Sequence, residues 1–167
     1  LVKVPAGVNT GNRIQLPSQG EVGPGGGPAG DLYVEIIVTP HPLFERVEDD
    51  LHCALTIPFS MAILGGEVDI ETLDGIEKVK VSPESEPGEI ITIPGKGMTR
   101  LRSKTRGDIQ IHLNITTPKK LSEKERSLIE SFAQLREESS NSMRIHHFNE
   151  QPENHGNFFQ RHFGRNR

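Results

Sequence analysis

The sequence predicts a mainly β protein, with two small β-sandwich domains in series followed by a C-terminal helix and a disordered tail. The 167-residue chain contains 17 Gly and 12 Pro, which interrupt it too often for a helical bundle. Several short segments alternate apolar and polar residues, as half-buried strands do. One stretch of the chain also recurs 77 residues later, which indicates two copies of one β-module.

The repeat sets the domain boundaries. Of the 39 positions from Val2 to Pro40, 10 are identical to the residue 77 positions further on, without a gap. We therefore predict a partial first sandwich over residues 1–41, a complete second sandwich over residues 43–118, a helix within 119–137 and a tail from 138 to 167. The first copy lacks a counterpart of the strand predicted at residues 51–57. The repeat thus predicts about 35 further residues before Leu1, and the chain is expected to be the C-terminal portion of a longer protein.

Each copy is expected to carry the same strands. The predicted pairs are residues 2–4 with 79–81, residues 13–16 with 90–93, and residues 31–38 with 108–115. Alternation in the last pair predicts that two sets of four apolar residues are buried, namely Leu32, Val34, Ile36 and Val38, and Ile109, Ile111, Leu113 and Ile115. A single helical turn is expected at residues 59–64, stopped by Gly65.

A longer helix follows the second module. Ser122 and Glu125 form the pattern of a capping box, in which each side chain accepts a backbone N–H of the first turn. Apolar residues then recur at helical spacing and form one stripe, made of Leu121, Leu128, Ile129, Phe132 and Leu135. This stripe either packs back on the second module or meets the same stripe of another chain in a symmetric dimer.

Several functions are excluded by composition. The net charge of −4 gives no strong field for a nucleic acid, and no apolar run is long enough to span a membrane. Cys53 is the single cysteine, so the chain has neither an internal disulfide nor a multi-cysteine zinc site, which fits a reducing compartment. Cys53 is expected to be a buried core residue, and His41, His52 and His112 are expected to face solvent. No nucleophile–base pair or metal cluster is visible, so we predict no enzyme activity, no cofactor and no metal.

A peptide-binding surface remains. Small antiparallel sheets leave edge strands that accept an extended peptide as an added strand. Phe44 is the best candidate for an anchor, because it follows Pro40 and Pro42 where the chain turns between the modules and belongs to neither alternating strand. The alternative is that Phe44 and Leu43 only fill the joint between the domains.

The motifs of the chain resemble the C-terminal peptide-binding region of the DnaJ family of co-chaperones. Residues 4–8 with Gly11 resemble the family's I-P-A-G-V-x-x-G, and residues 41–46 resemble its H-P-x-F-x-R. Further similar segments span most of the chain up to residue 137: residues 26–34, 49–51, 64–66, 72–75, 95–98, 106–108, and 118 with 121–132.

The resemblance implies that the protein holds unfolded, apolar-rich polypeptides and delivers them to a DnaK-type ATPase chaperone. It implies a homodimer made through the C-terminal helix and a client pocket that contains the Phe of H-P-x-F. Carried over, this pocket contains Phe44, together with its neighbour Leu43, and Val2 and Val4 lie on the matching wall. A cytoplasmic location is expected from the same resemblance.

Two parts of the DnaJ family pattern are missing from the sequence. No His-Pro-Asp motif is present, and no Cys-x-x-Cys-x-Gly-x-Gly repeat is present, so neither the J-domain nor the zinc region is represented. The alternative to a chaperone is an adaptor module that binds one folded partner protein.

Overall fold

The structure, a computed structural model, describes residues 1–23 and 25–138. Among these residues there are eight strands and two helices. In chain order they are β1 (Arg13–Leu16), β2 (Leu32–Glu35), β3 (Glu45–Val47), β4 (Asp50–Pro58), α1 (Phe59–Leu64), β5 (Gly66–Thr72), β6 (Gly75–Val81), β7 (Ile90–Ile93), β8 (Ile109–Thr116) and α2 (Glu123–Leu135). The prediction of a mainly β chain with a C-terminal helix is confirmed. The predicted disordered tail lies outside the described residues from position 139 on.

Three sheets account for the described strands. β1 pairs with β2 in antiparallel register, with Ile14 opposite Val34. A four-stranded sheet has the order β3-β4-β8-β7, and β5 pairs with β6. The predicted turn at Asp74 and Gly75 connects β5 to β6.

The 77-residue repeat is present in the hydrogen bonds as well as in the sequence. The N–H of Gly11 donates to the carbonyl of Ile36 at 2.9 Å, and the N–H of Gly88 donates to that of Leu113 at 2.8 Å. Both glycines have a φ near +87°, a conformation that costs other residues about 1 kcal/mol or more. The two predicted copies therefore make the same turn with the same hydrogen bond.

Two aspartates close equivalent loops in the two copies. The Asp31 carboxylate accepts the N–H of Ser18 at 3.0 Å, and the Asp108 carboxylate accepts the N–H of Gly95 at 2.8 Å. The hydrogen bond from Ser18 and a second one from Gln15 hold the pKa of Asp31 below its usual value. Ser18 and Gly95 both have positive φ, so the loop geometry is kept although the residue type differs.

The described chain forms two compact units. Unit 1 contains Leu1–Cys53, Thr72–Gly75 and Thr92–Ile111, and unit 2 contains Ala54–Glu71, Ile76–Ile91 and the described residues from His112 to Glu138. These units interleave along the chain and do not follow the boundaries 1–41 and 43–118. The division into two sandwiches at those boundaries stays a prediction.

Each unit has its own buried apolar residues. In unit 1 they are Phe44, Leu51, Ile109 and Ile111. In unit 2 a core cluster contains Ile57, Ala62, Val81 and Leu113, with Leu55, Met61, Val68, Ile91 and Ile115 packed against it. Both helices lie in unit 2. α1 ends at Gly65, whose φ of 74° stops the helix as predicted, and α2 begins at the predicted capping box of Ser122 and Glu125.

The strand predicted at residues 2–4 does not form. Its counterpart in the second copy, residues 79–81, is the end of β6, which pairs with β5. Among the described residues, residues 2–4 pair with no strand.

The burial predicted for the two long strands is only partly correct. Leu32 is 44% exposed and Val38 is 40% exposed, whereas Ile109 and Ile111 are fully buried. β2 has a single neighbour in a two-stranded sheet, whereas β8 lies between β4 and β7. A strand with neighbours on both sides is covered far better than an equivalent strand in a two-stranded ribbon.

The burial of His112 and Cys53 also differs from the prediction. His112 is buried, and three consecutive residues of β8 from Ile111 to Leu113 have almost no exposed surface. Both faces of β8 are therefore covered at this point. The prediction that alternate residues of this strand face solvent is wrong here. Cys53 is half-buried and not fully buried.

Candidate peptide-binding groove

Groove 1 is a cavity of about 600 Å³ within unit 1. It is lined by Asn9, Thr10, Val38, Thr39, Pro40, His41, Phe44, Glu45, Arg46, Glu48, Leu51, Leu73 and Met98. Its lining combines an apolar surface with a few polar groups, which is the usual composition of a binding pocket.

Phe44 forms a buried part of this lining. It is 7% exposed, and its ring lies 5.4 Å from the ring of His41, centre to centre. The imidazole Nδ1 of His41 accepts the N–H of Leu43 at 3.2 Å. The His-Pro-Leu-Phe turn is therefore fixed by its own side chains, and it turns Phe44 inward while Leu43 stays exposed.

Arg46 holds two segments of the groove together. Its guanidinium donates to the carbonyl of Glu48 at 2.7 Å, to that of Val8 at 2.8 Å and to that of Gly7 at 3.0 Å. Arg46 and Glu48 line the groove, and Gly7 and Val8 lead directly to Asn9 and Thr10, which also line it. The planar guanidinium can satisfy three carbonyls at once, which a lysine cannot do in the same way.

A second hydrogen bond links two residues of the lining. The hydroxyl oxygen of Thr10 accepts the N–H of Val38 at 2.9 Å. This bond holds Val38 beside the groove with its side chain part exposed, whereas its neighbour Ile37 is 81% exposed and does not line the groove.

The structure brings only one of the four predicted peptide-binding residues into groove 1. Phe44 lines it, whereas Val2, Val4 and Leu43 do not. Val2 is half-buried, and Val4 and Leu43 are more than half exposed. The assignment of these four residues to a peptide site stays a prediction.

Sequence reasoning did not identify the other apolar residues of the lining. Val38 had been predicted to be a core residue, and Leu73 and Met98 come from distant parts of the chain. Arg46 could have been identified from the sequence, since it is the last residue of the H-P-x-F-x-R pattern. Nothing in the sequence pointed to its three carbonyl partners.

Groove 2 is a smaller cavity of about 450 Å³ within unit 2. It is lined by Pro58, Phe59, Ser60, Thr116, Thr117, Pro118, Leu121, Glu125, Leu128 and Ile129. Three of the five predicted dimerisation residues, Leu121, Leu128 and Ile129, therefore face this cavity.

The other two dimerisation residues do not line groove 2. Phe132 is 45% exposed and Leu135 is 85% exposed, and no residue of α2 is fully buried. The stripe is exposed along its length, since Leu128 is 63% exposed although it lines groove 2, and Phe132 and Leu135 lie outside the groove.

The described residues offer little to a metal or to nucleophilic chemistry. No group of three or more His, Cys, Asp or Glu in residues 1–23 and 25–138 is arranged to hold a metal ion. Burial raises the pKa of the Cys53 thiol to about 11, so the thiol stays protonated at neutral pH and is a poor nucleophile. Within the same residues no helix is long and apolar enough to cross a membrane.

Comparison with known proteins gives one consistent result. The sequence pattern of the DnaJ C terminal domain matches residues 1–118. "Chaperone protein DnaJ 2" of Streptomyces avermitilis is 53% identical over 137 residues, which cover 82% of this chain and 36% of that protein. "Chaperone protein DnaJ" of Acidithiobacillus ferrooxidans is 48% identical over 132 residues, which cover 79% of this chain and 35% of that protein.

A third relative extends further along the chain. "Chaperone protein DnaJ 1" of Corynebacterium efficiens is 42% identical over 162 residues, which cover 96% of this chain and 41% of that protein. The chain thus spans little more than a third of the length of the curated relatives that it matches. From the extent of these matches, the chain belongs to the DnaJ C terminal domain family.

Proposed function

We propose that this chain is the client-binding part of a DnaJ-type co-chaperone, which holds unfolded, apolar-rich polypeptides and passes them to a DnaK-type ATPase in the cytoplasm. The observation that carries the proposal is that a chain of the DnaJ C terminal domain family contains groove 1. An apolar lining around Phe44 is held open by the bonds of Arg46 and Thr10, so the groove is preformed. A preformed groove binds with a smaller entropic cost than one that must be ordered by its ligand.

The lining also fits a ligand that varies in sequence. Val38, Leu73 and Met98 present aliphatic and thioether surface, and such contacts depend on apolar area more than on the identity of the side chain. The polar residues of the lining are Asn9, Thr10, Thr39, His41, Glu45, Arg46 and Glu48, and the guanidinium of Arg46 is already bonded to three backbone carbonyls. A groove of this kind favours apolar segments without selecting one motif.

A charge placed in groove 1 is expected to weaken client binding. In Val38→Asp the carboxylate would have to be desolvated by an apolar client residue, which costs more than 1 kcal/mol and reduces affinity by about tenfold. The fold should change little, because Val38 is 40% exposed and its backbone N–H still bonds Thr10. The measurement is the affinity for a fluorescent, permanently unfolded model protein, with a peptide array to record selectivity.

Ile37→Asp is the matched control. Ile37 is the adjacent residue, is 81% exposed and lies outside groove 1, so its substitution adds the same charge without entering the site. Affinity should remain within about twofold of wild type. Equal losses in the two variants would contradict the assignment of groove 1, and binding to one sharp peptide motif on the array would favour an adaptor.

We also propose that the chain forms a homodimer through α2. The support is the exposed apolar surface of the helix, where Phe132 is 45% exposed and Leu135 is 85% exposed. A symmetric contact between two such stripes would bury both.

Phe132→Asp is expected to convert the dimer to monomers. A carboxylate at the centre of an apolar helix contact would be buried without a partner, which is strongly unfavourable. Multi-angle light scattering at several protein concentrations gives the mass directly. Gln134→Asp, on an exposed position of the same helix, should leave the mass unchanged; a dimer that persists in Phe132→Asp would reject α2 as the interface.

A further inference from the structure

Two apolar residues of groove 1, Leu73 and Met98, come from separate segments of the chain. Leu73 lies in the turn between β5 and β6, and Met98 lies in the loop between β7 and β8. Both segments belong to unit 1. Leu73 is 48% exposed, so packing restrains its side chain less than that of a core residue. Its place in the lining must therefore depend on contacts of the turn itself.

Arg106 joins the two segments. Its guanidinium donates to the carboxylate of Asp74 at 2.7 Å and to the carbonyl of Gly97 at 2.8 Å. Asp74 directly follows Leu73 in the turn, and Gly97 directly precedes Met98 in the loop. One side chain thus links the neighbours of the two apolar lining residues. Neither Arg106 nor Asp74 lines the groove, so any effect of theirs on a bound ligand passes through other residues.

The turn that carries Leu73 is held by its own hydrogen bonds. The hydroxyl of Thr72 donates to the carbonyl of Gly75 at 2.7 Å and accepts the N–H of Asp74 at 3.2 Å. Thr72 is also buried. A turn closed in this way moves as one piece, and the ion pair between Asp74 and Arg106 attaches that piece to the loop.

The repeat indicates that the loop before β8 does not itself require Arg106. The equivalent residue of the first copy is Ala29. Both loops are nevertheless closed by the same isolated bridge, between Val22 and Ala29 in the first copy and between Thr99 and Arg106 in the second. The arginine side chain therefore serves a contact that the first copy lacks, and its bond to Asp74 is such a contact.

We propose that Arg106 is a positioning residue of groove 1, which raises client affinity by holding the turn of Leu73 in place beside the loop of Met98. The inference rests on the proposed function, because it takes groove 1 to be the client site. Without the ion pair, the turn must be ordered when the client binds, and that ordering reduces affinity.

A double-mutant cycle on client affinity tests the proposal. Asp74→Ala is expected to lower affinity about threefold, because the freed turn must be ordered on binding. Leu73→Ala is expected to lower it about fivefold, because apolar surface is lost from the lining. The double variant should lose no more than Leu73→Ala alone, since the ion pair then has no side chain to position. A purely structural role of the ion pair would instead give additive losses.

Asp69→Ala is the matched control. The carboxylate of Asp69 lies 3.0 Å from the ammonium of Lys78, on β5 and outside the lining of groove 1, so this variant also loses one ion pair. Its client affinity should equal that of wild type. Asp74→Asn serves if Asp74→Ala does not fold, because asparagine keeps the preference for a turn before Gly75 and a neutral hydrogen bond to Arg106. Its loss should be smaller and should also vanish in the Leu73→Ala background.

The opposite results overturn the proposal. Wild-type affinity in both Asp74 variants would mean that the ion pair does not position the turn, and an equal loss in Asp69→Ala would mean that the effect is not specific to groove 1. Wild-type affinity in Leu73→Ala together with weak binding by Val38→Asp would keep groove 1 as the client site but remove Leu73 from it. Wild-type affinity in both of these variants would reject groove 1 itself.

Discussion

Gly107→Ala is expected to destabilise the protein by at least about 3 kcal/mol, although the substitution adds a single methyl group. A Cβ at this position would overlap the carbonyl oxygen of Asp49 and lie 2.6 Å from a carboxylate oxygen of Asp50. Neither residue can move freely. The Asp49 carbonyl accepts the N–H of Met98 at 2.8 Å, and the Asp50 carboxylate accepts the N–H of Asp108 at 2.8 Å. The methyl group can be accommodated only by breaking these bonds, and urea unfolding should show a lower midpoint.

Gly30→Ala provides the matched control, because Gly30 is the residue equivalent to Gly107 in the first copy. The nearest atom to a Cβ at Gly30 is 3.8 Å away, an ordinary contact distance. We expect a change of less than about 0.5 kcal/mol, since alanine also restricts the unfolded chain. Equal losses in the two variants would show that loop flexibility, and not contact with Asp49 and Asp50, requires glycine at this position.

This pair of glycines shows how far the sequence predicts the fold. The repeat predicts the same turn at both positions, and the structure has it: the carbonyls of Gly30 and Gly107 each accept an N–H, from Gly20 at 2.7 Å and from Gly97 at 2.8 Å. The crowding at Gly107 could not be predicted, because Asp49 comes from another part of the chain. Local patterns determine the turns and strands, whereas contacts between distant segments depend on how the sheets pack.

In the candidate site, too, local patterns were predictable from the sequence and contacts between distant segments were not. A motif identified Phe44, and the chemistry of an aromatic residue after two prolines was a fair reason to select it. Alternation assigned Val38 to the core because residues 31–38 were interpreted as one strand, whereas β2 ends at Glu35 and Val38 lies beyond it. The fixing role of Arg46 depends on the carbonyls of Gly7 and Val8, almost 40 residues earlier, and no spacing rule connects them.

The burial of Phe44 changes what its removal is expected to do. On the sequence alone, an anchor on the surface could be truncated with little effect on the fold. Phe44 is 7% exposed and packs against His41, so Phe44→Ala should leave a cavity and cost about 3–5 kcal/mol of unfolding free energy. The midpoint temperature of thermal unfolding should fall by roughly 6–12 °C or more. Loss of client binding in this variant alone would therefore not separate a binding role from a structural one.

The variant Phe44→Leu distinguishes a binding role of this residue from a structural one. Leucine keeps most of the apolar volume, and the loss of stability should stay near 1–1.5 kcal/mol. Groove 1 would then remain formed but lack the aromatic surface beside His41. Client affinity, measured below the unfolding temperature of both variants, should fall severalfold in Phe44→Leu and at least about tenfold in Phe44→Ala. If affinity were unchanged in Phe44→Leu and fell in Phe44→Ala only in proportion to the unfolded fraction, Phe44 would be a core residue that supports groove 1 without touching the client.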